Sequence, residues 1–555
     1  MIAFEGVYEN LTFIILETKK QIEAVRSYMR YPTPKAYQAI LDKDNYVDNL
    51  KTTIENLCYE QLINANNQLS KKDTDLIRAI HIVAVNLERM ADGCINILKQ
   101  TDHLDDIAFM HQFKYDTVLA LMVDGISRIH VVLEKRELND ALAICRIEDE
   151  VDDYYKLNLT KILGRLESGE PVRNLVTVLF IYRYLERMGD TLLNIGEALI
   201  VGIIGEKVRI SQLESLERNI AAMKRGQEGE DQISEMGFRS FWGTRSGCRI
   251  SKVDLQDPAN EDQYQKSIFK EGTVRKIEAE RDSLNCWNAL FPGLAPRVFS
   301  FQKNNDAASL LVEFLDGVTL DEMVLNLEQE QIQAVFPAFY KKCAEIWSAT
   351  KTHQYLPLDY VSQLRRRLIT VRSVHPEFVR FEQSLGSSYI ASSETLIATC
   401  RRAETKLCTP FAVRIHGDFN VSNVMINADT GQIHYIDVYR SRDADYIQDA
   451  SVFLVSNFRL PVFNSRPRGN INWVIKTFYR FSENFAKEND DTTFYFRMAL
   501  ALARSLYTST RFELNEKLAR EMFLRAHYLL DKVAKFSNTG TPPEEFVLPE
   551  SVLFY

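Results

Sequence analysis

The chain has 555 residues, 46% of them hydrophobic, and a formal net charge of −9, which is enough for three or four domain-sized units with packed cores and argues against nucleic-acid binding. The longest apolar runs, VTVLFIY and ALIVGII, are too short to span a bilayer, and the charged residues near the N-terminus do not read as a signal peptide. The eight cysteines form no C-x-x-C pair, so they read as reduced thiols rather than a zinc module or a disulfide framework, and a cytoplasmic protein is expected.

The first 200 residues contain an internal repeat. LERMADGCINI, Leu87 to Ile97, matches LERMGDTLLNI, Leu185 to Ile195, at Leu, Glu, Arg, Met, Asp, Asn and Ile; upstream, AILDKDNYVD ending at Asp48 is echoed by AICRIEDEVD ending at Asp152. Ile80, Ala84, Leu87, Ala91 and Cys94 in one copy, and Val178, Tyr182, Leu185, Gly189 and Leu192 in the other, recur at helical spacing and predict buried stripes. Asp44 with Asp48, Glu88 with Asp92, Glu148 with Asp152 and Glu186 with Asp190 stand four apart, so each pair shares a helix face, where like charges repel. A cation shared between facing helices would offset that repulsion, and so would a salt-bridge network; Arg89 and Arg187 point away from their neighbours' faces, so a partner would have to come from another helix.

These residues, from about 4 to 200, resemble the PhoU family of phosphate-signalling regulators. The resemblance implies two three-helix repeats, residues 1–102 and 103–205, with the remaining helices at Phe4–Met29 and Ile107–Leu133. It also implies metal clusters, with Fe, Mn or Zn, at Asp44, Asp48, Glu88 and Asp92 and at Glu148, Asp152, Glu186 and Asp190. The extra acids Asp149, Glu150 and Asp153 predict tighter binding in the second copy. A phosphate-signalling protein partner is implied, and assembly into a homo-oligomer is left open. A helical and polar linker, residues 206–235, loses its periodicity after Met223 and predicts a hinge at 224–235.

Further on, apolar Phe411–Ile415 and Val424–Ile426 read as short strands either side of a polar loop, and His434–Val438 as another strand bearing Asp437. Phosphoryl transfer needs a group to aim and deprotonate the acceptor hydroxyl, and oxygen ligands for divalent ions that bridge the phosphates. Asp418 suits the first task, Asn423 and Asp437 suit Mg²⁺, and His416 reads as a scaffold for the loop.

The string H-G-D-F-N-V-S-N followed by Y-I-D resembles the aminoglycoside phosphotransferase and choline kinase superfamily, whose loop reads H-G-D, four residues, N, then I-D about a dozen residues on. The family often carries Gly before the Asn, where this chain has Ser422; Asp449 matches a downstream Asp and reads as structural support. The resemblance implies ATP, Mg²⁺ and an α+β two-lobed protein-kinase-like fold, with a smaller lobe at 236–318 and a larger one at 319–545. Within the smaller lobe it implies a phosphate-covering turn from Gly243 to Gly247. Lys270, or else Lys266, would contact the α and β phosphates with Glu280 as its partner, and main-chain groups near Glu313 to Leu315 would meet adenine before Gly317 releases the chain. Taken alone, Lys270 and Glu280 read equally well as an exposed ion pair. Residues 325–400 and 470–535 predict the helical bulk, with Tyr495, Phe496 and Tyr507 in the core.

The expectation is a multidomain chain: an all-α N-terminal half of two three-helix repeats, then a two-lobed phosphotransferase acting on a hydroxyl acceptor and coupled to the regulatory half. The alternative is a non-catalytic scaffold of phosphate signalling with a degenerate kinase-like part. The acceptor is not fixed, because this superfamily phosphorylates many hydroxyl compounds.

Overall fold

The computed structural model describes residues 5–64, 69–205, 210–223, 237–243, 249–257, 260–304, 307–386, 388–427 and 430–554. Two compact units result, one of Met1–Gly272 with Gln302–Leu311, the other of Thr273–Phe301 with Val312–Tyr555.

The first unit begins with eight helices: α1 (Glu5–Arg30), α2 (Pro34–Leu41), α3 (Asp44–Asn64), α4 (Lys71–Thr101), α5 (Tyr115–Lys135), α6 (Leu138–Glu167), α7 (Val172–Ile204) and α8 (Ile210–Met223). The predicted stripes are the core: Ile80, Ala84, Leu87, Ala91, Cys94, Val178, Tyr182, Leu185 and Leu192 are each at most 1% exposed. Helices α1, α3 and α4 form one bundle and α5, α6 and α7 another, and the two meet along α4 and α7. The duplicated motif lies on this seam, where a Cβ on Gly93 would stand 2.7 Å from Met188 Cγ of the other copy. Helix α5 starts at Tyr115 rather than Ile107, because Asp106 caps a separate 3₁₀ turn, Ile107–Gln112, and Phe113 is extended. Ser70 caps α4 by accepting the Asp73 N–H at 3.1 Å.

Helix α8 ends at Met223, and residues 224–235 lie outside the described residues. Strands β1 (Gly237–Gly243), β2 (Arg249–Asp257), β3 (Asn260–Thr273), β4 (Val298–Asn304) and β5 (Ala307–Glu313) make a sheet in the order β1-β2-β3-β5-β4, of which β4 and β5 contribute residues 302–311 to this unit. Buried Asn219 of α8 donates to Ser309 Oγ of β5 at 2.7 Å, fastening that helix to the sheet. No helix among the described residues is long and apolar enough to cross a membrane.

The second unit holds α9 (Val274–Leu290), the short strand β6 (Val318–Thr319), α10 (Leu320–Asn326), α11 (Gln329–Ala349) and α12 (Tyr360–Val374). A hairpin of β7 (Gln383–Leu385) and β8 (Ser388–Ile390) interrupts the expected helical run before α13 (Ser393–Glu404). Then come β9 (Val413–Ile415), β10 (Val424–Ile426), β11 (Ile433–Tyr435), β12 (Arg442–Ala444), α14 (Tyr446–Phe458), α15 (Ser465–Glu488), α16 (Phe494–Ser509) and α17 (Glu516–Ser537). Strands order as β11-β10-β6 and as β12-β9, and the loop after β9 meets the end of β11 through the His416 Nε2 bond to the Ile436 carbonyl. Phe339, Phe419, Phe453 and Phe478 pack ring on ring beneath it, and Tyr507 and Phe496 lie in the core as expected, whereas Tyr495 is part-exposed and donates its hydroxyl to Glu483 at 2.6 Å.

Candidate active site

The chain turns sharply after β9. Gly417 has φ +82°, and a Cβ there would lie 2.2 Å from the Arg440 carbonyl oxygen, so the position is reserved for glycine. The two amides at the turn are received by one carboxylate: Asp449 Oδ2 accepts from His416 N at 2.6 Å and Oδ1 from Gly417 N at 2.9 Å. Burial pushes the Asp449 carboxyl up to about 7, against the pull of those two amides. His416, 1% exposed, donates from Nε2 to the Ile436 carbonyl at 2.9 Å, which leaves Nδ1 to accept the Asp418 N–H at 3.3 Å. Burial also lowers its pKa, so a neutral ring joins the loop to the strand that leads into Asp437. A second tie runs from Trp287 Nε1 of α9 to Ser441 Oγ at 2.8 Å, and from that hydroxyl to the His416 carbonyl at 3.2 Å.

Asp418 Oδ1 accepts from Asn420 at 2.7 Å and Oδ2 from Arg440 at 3.0 Å. A carboxylate accepts about four hydrogen bonds, so capacity for an acceptor hydroxyl remains. Asn423 donates its side-chain amide to the Asp418 main-chain carbonyl at 2.9 Å, and its main-chain carbonyl accepts from Ile436 N at 3.0 Å, one residue before Asp437. Ser422 is not among the positive-φ residues, so the loop does not need the family's glycine. Asp437 does have φ +57°, an uncommon conformation for a residue with a side chain and one that concentrates at functional sites. One amide oxygen and one carboxylate are hard donors suited to Mg²⁺ shared with substrate phosphates, so the donor set fits that ion.

The remaining nucleotide-site residues fall less neatly. Residues 244–248, hence Gly247, lie outside the described residues, and Gly243 closes β1 opposite Arg249. Lys270 lies within β3 and is 8% exposed, while Lys266 is exposed; Glu280 on α9 is 3% exposed. Burial of both Lys270 and Glu280 removes the reading of two solvated charges. The Glu313 N–H already donates to Arg297 O at 2.9 Å, and its carboxylate takes the Arg297 guanidinium at 3.1 Å on each oxygen, so that one main-chain donor is not available to an adenine edge. Gly317, φ +155°, lets the chain pass against the Ile426 carbonyl, 2.8 Å from a would-be Cβ. A cavity of about 470 Å³ touches Glu313, Phe314, Leu315 and Asp316, but neither Asp418, Asn423 nor Asp437 lines it.

The two carboxylate quartets of the first unit differ. Lys51 Nζ lies 3.0 Å from Asp48 and 3.5 Å from Glu88, so an ammonium already bridges α3 and α4 there. Burial and then Asp92 raise the Glu88 pKa, with Lys51 pulling the other way. In the second copy Tyr155 occupies the place of Lys51. Glu148 is raised by burial and then by Asp149, Asp152, Asp190 and Glu186, and Glu186 by burial and Asp190 despite an ion pair with Arg183. Asp152 pairs outward with Lys156 at 2.6 Å, and one Glu186 oxygen is buried without a partner. The Asp44 side chain lies outside the described residues. Among the described residues, which leave out the Asp44 side chain, no group of three His, Cys, Asp or Glu that could hold a metal ion is found.

Along the chain, the arginines whose charge bears on Asp418 stand in no local motif. Arg440 pairs with it directly, and Arg367, Arg504 and Arg511 each feel its charge. One signal was available: Arg497 and Arg504, seven apart in FRMALALARSL, fall on the apolar face of a helix, where arginine is rarely found unpaired.

The PhoU domain family matches residues 17–101 and 121–199. The phosphate-specific transport system accessory protein PhoU homolog of Clostridium acetobutylicum is 26% identical over 218 residues, 38% of this chain and 97% of that one. Its counterpart in Zymomonas mobilis subsp. mobilis is 29% identical over 172 residues, 30% and 71%. The first 200 residues are therefore PhoU-like. Among solved structures, PhoU from Pseudomonas aeruginosa is 19% identical, covering 37% of this chain and 99% of that one at a TM-score of 0.33. Aminoglycoside phosphotransferase APH(4)-Ia is 12% identical, covering 57% and 98% at a TM-score of 0.38.

Proposed function

We propose that the second unit carries an ATP-dependent phosphotransferase site for a hydroxyl acceptor, and that the PhoU-like part is its regulatory module, docking a partner in phosphate signalling. The observation that most supports this reading is the bond from Ile436 N–H to the Asn423 main-chain carbonyl, next to the Asp449 clamp on the His416–Gly417 turn that precedes Asp418. Asp418 orients the acceptor hydroxyl and takes its proton as oxygen attacks the γ-phosphorus. Asn423 and Asp437 would hold Mg²⁺, which when bound offsets charge on the phosphate oxygens. His416, buried and neutral, positions Asp418 and the strand before Asp437 without exchanging a proton with the substrate.

Engagement of both Asp418 oxygens by Asn420 and Arg440 favours a second reading, in which the site is a non-catalytic scaffold. Calorimetry on the full-length protein separates the two. Saturable Mg·ATP binding that is lost in Asp437→Ala and kept in Asp418→Asn, with transfer absent from the latter, supports the transferase; no binding by the unaltered protein supports the scaffold.

A further inference from the structure

Arg504 is 4% exposed, and its Nε and Nη2 have no hydrogen-bond partner. Its guanidinium lies over the Tyr360 ring at 5.8 Å and senses Arg367, Asp418 and Arg442. Buried guanidinium donors are costly to leave unmatched. The other arginines gather for topological reasons: α12 brings Arg367, seven residues after Tyr360 and so on the same face, and packs against both α16 and the turn Thr510–Phe512 that bears Arg511. Arg511 in turn senses Arg367 and Arg440. Burial presses both Arg504 and Arg511 down to about 10, with Arg367 adding to it, and both remain cationic at neutral pH. Arg497, on the same face of α16 as Arg504, differs in being ion-paired with two carboxylates, Asp445 and Asp491. Asp418 pairs with Arg440 at 3.0 Å, and its charge also bears on Arg367, Arg504 and Arg511, while the buried Nε and Nη2 of Arg504 have no hydrogen-bond partner to offset that cation.

We infer that these four arginines seat a phosphate monoester group of the acceptor, so that the substrate is a phosphorylated hydroxyl compound rather than a neutral or cationic one. The inference rests on the transferase reading for its reaction: the bond from γ-phosphorus to the ADP oxygen breaks, a bond to the acceptor oxygen forms, and the hydroxyl proton passes to Asp418. Forked donors in this number match a dianionic phosphate better than a carboxylate. Placed beside Asp418, the same charges anchor one end of the acceptor while its hydroxyl meets the base.

The test titrates inorganic phosphate into the full-length protein without nucleotide, by calorimetry and thermal midpoint. Phosphate is expected to bind and to raise the midpoint. Arg504→Met should weaken binding at least tenfold while raising the midpoint of the ligand-free protein, and half-buried Arg367→Gln should weaken binding severalfold. With Mg·ATP, hexose monophosphates should exceed the free hexoses at least tenfold in kcat/KM. Phosphate binding that responds to both variants, without transfer to any acceptor, supports the anion seat and sinks the transferase reading. Transfer to neutral acceptors with phosphate binding indifferent to both variants overturns the inference and spares the transferase. Succinate binding more tightly than phosphate overturns the assignment to a phosphate.

Discussion

Asp449 accepts the main-chain N–H of His416 at 2.6 Å from 33 residues away, and its second oxygen takes the next amide. An Asn at this position offers one acceptor for two buried donors, so Asp449→Asn should cost about 1–3 kcal/mol. The pH dependence has a definite sign. The folded-state pKa, about 7, lies above the ordinary 3.8, so the contribution of Asp449 to stability is complete below pH ~4 and is lost as pH rises through about 7. Denaturant unfolding of the full chain should show a larger deficit for the variant at pH 5 than at pH 8. An equal deficit at both would mean the carboxyl is not raised.

Gly417 and Gly431 separate strain from collision. Both have positive φ, +82° and +68°, but a Cβ on Gly431 meets nothing within 4 Å, whereas on Gly417 it strikes the Arg440 carbonyl. Gly431→Ala should therefore cost only the left-handed penalty, about 1–2 kcal/mol. Gly417→Ala should cost more and displace the loop bearing Asp418, abolishing transfer. Comparable midpoints and activities for the two variants would show that the turn relaxes freely.

Arg497 is wholly buried, paired with Asp445 and Asp491, whose carboxylates also accept from Tyr360 at 2.8 Å and Tyr446 at 2.7 Å. Arg497→Met leaves two buried carboxylates without their cation, and a loss of about 3–5 kcal/mol is expected. The opposite outcome is forecast for Met at position 504, on the same helix face, because Arg504 lacks such partners. Thermal midpoints that move in the same direction for both variants would contradict the distinction.

What the sequence disclosed depended on the range of the interaction. The repeat was readable because its stripes are local, and the same residues recur where α4 meets α7. The loop after β9 was readable because short apolar runs flank it. Lys51 escaped notice, although it lies three residues beyond Asp48, because its second partner, Glu88, is on another helix; the sequence analysis weighed Arg89 and Arg187 instead. The start of α5 was misplaced because Asp106 caps a 3₁₀ turn whose apolar residues share the helical period. The seat of Arg504 depends on α12, α16 and the loop after β11 converging, and no spacing along the chain records that.

The two quartets should respond oppositely to single changes. Lys51 offsets charge on Asp48 and Glu88, so Lys51→Met should destabilise the first bundle by about 0.5–1 kcal/mol. In the second bundle Lys156 and Arg183 pair with Asp152 and Glu186 while Glu186 still feels Asp190 and Asp152, so Glu186→Gln should stabilise by about 0.5 kcal/mol. Glu148 and Glu186 both have raised folded-state values, so their contribution is complete below the ordinary glutamate value of 4.5 and is lost as pH climbs through the raised ones. Hydrogen exchange along α6 and α7 should accordingly quicken between pH 5 and pH 8, after correction for the intrinsic rate, and Glu186→Gln should flatten that trend. A stabilisation by added Mn²⁺ that disappears in Glu186→Gln would overturn the account, by showing that the carboxylates share a divalent ion rather than only repel one another.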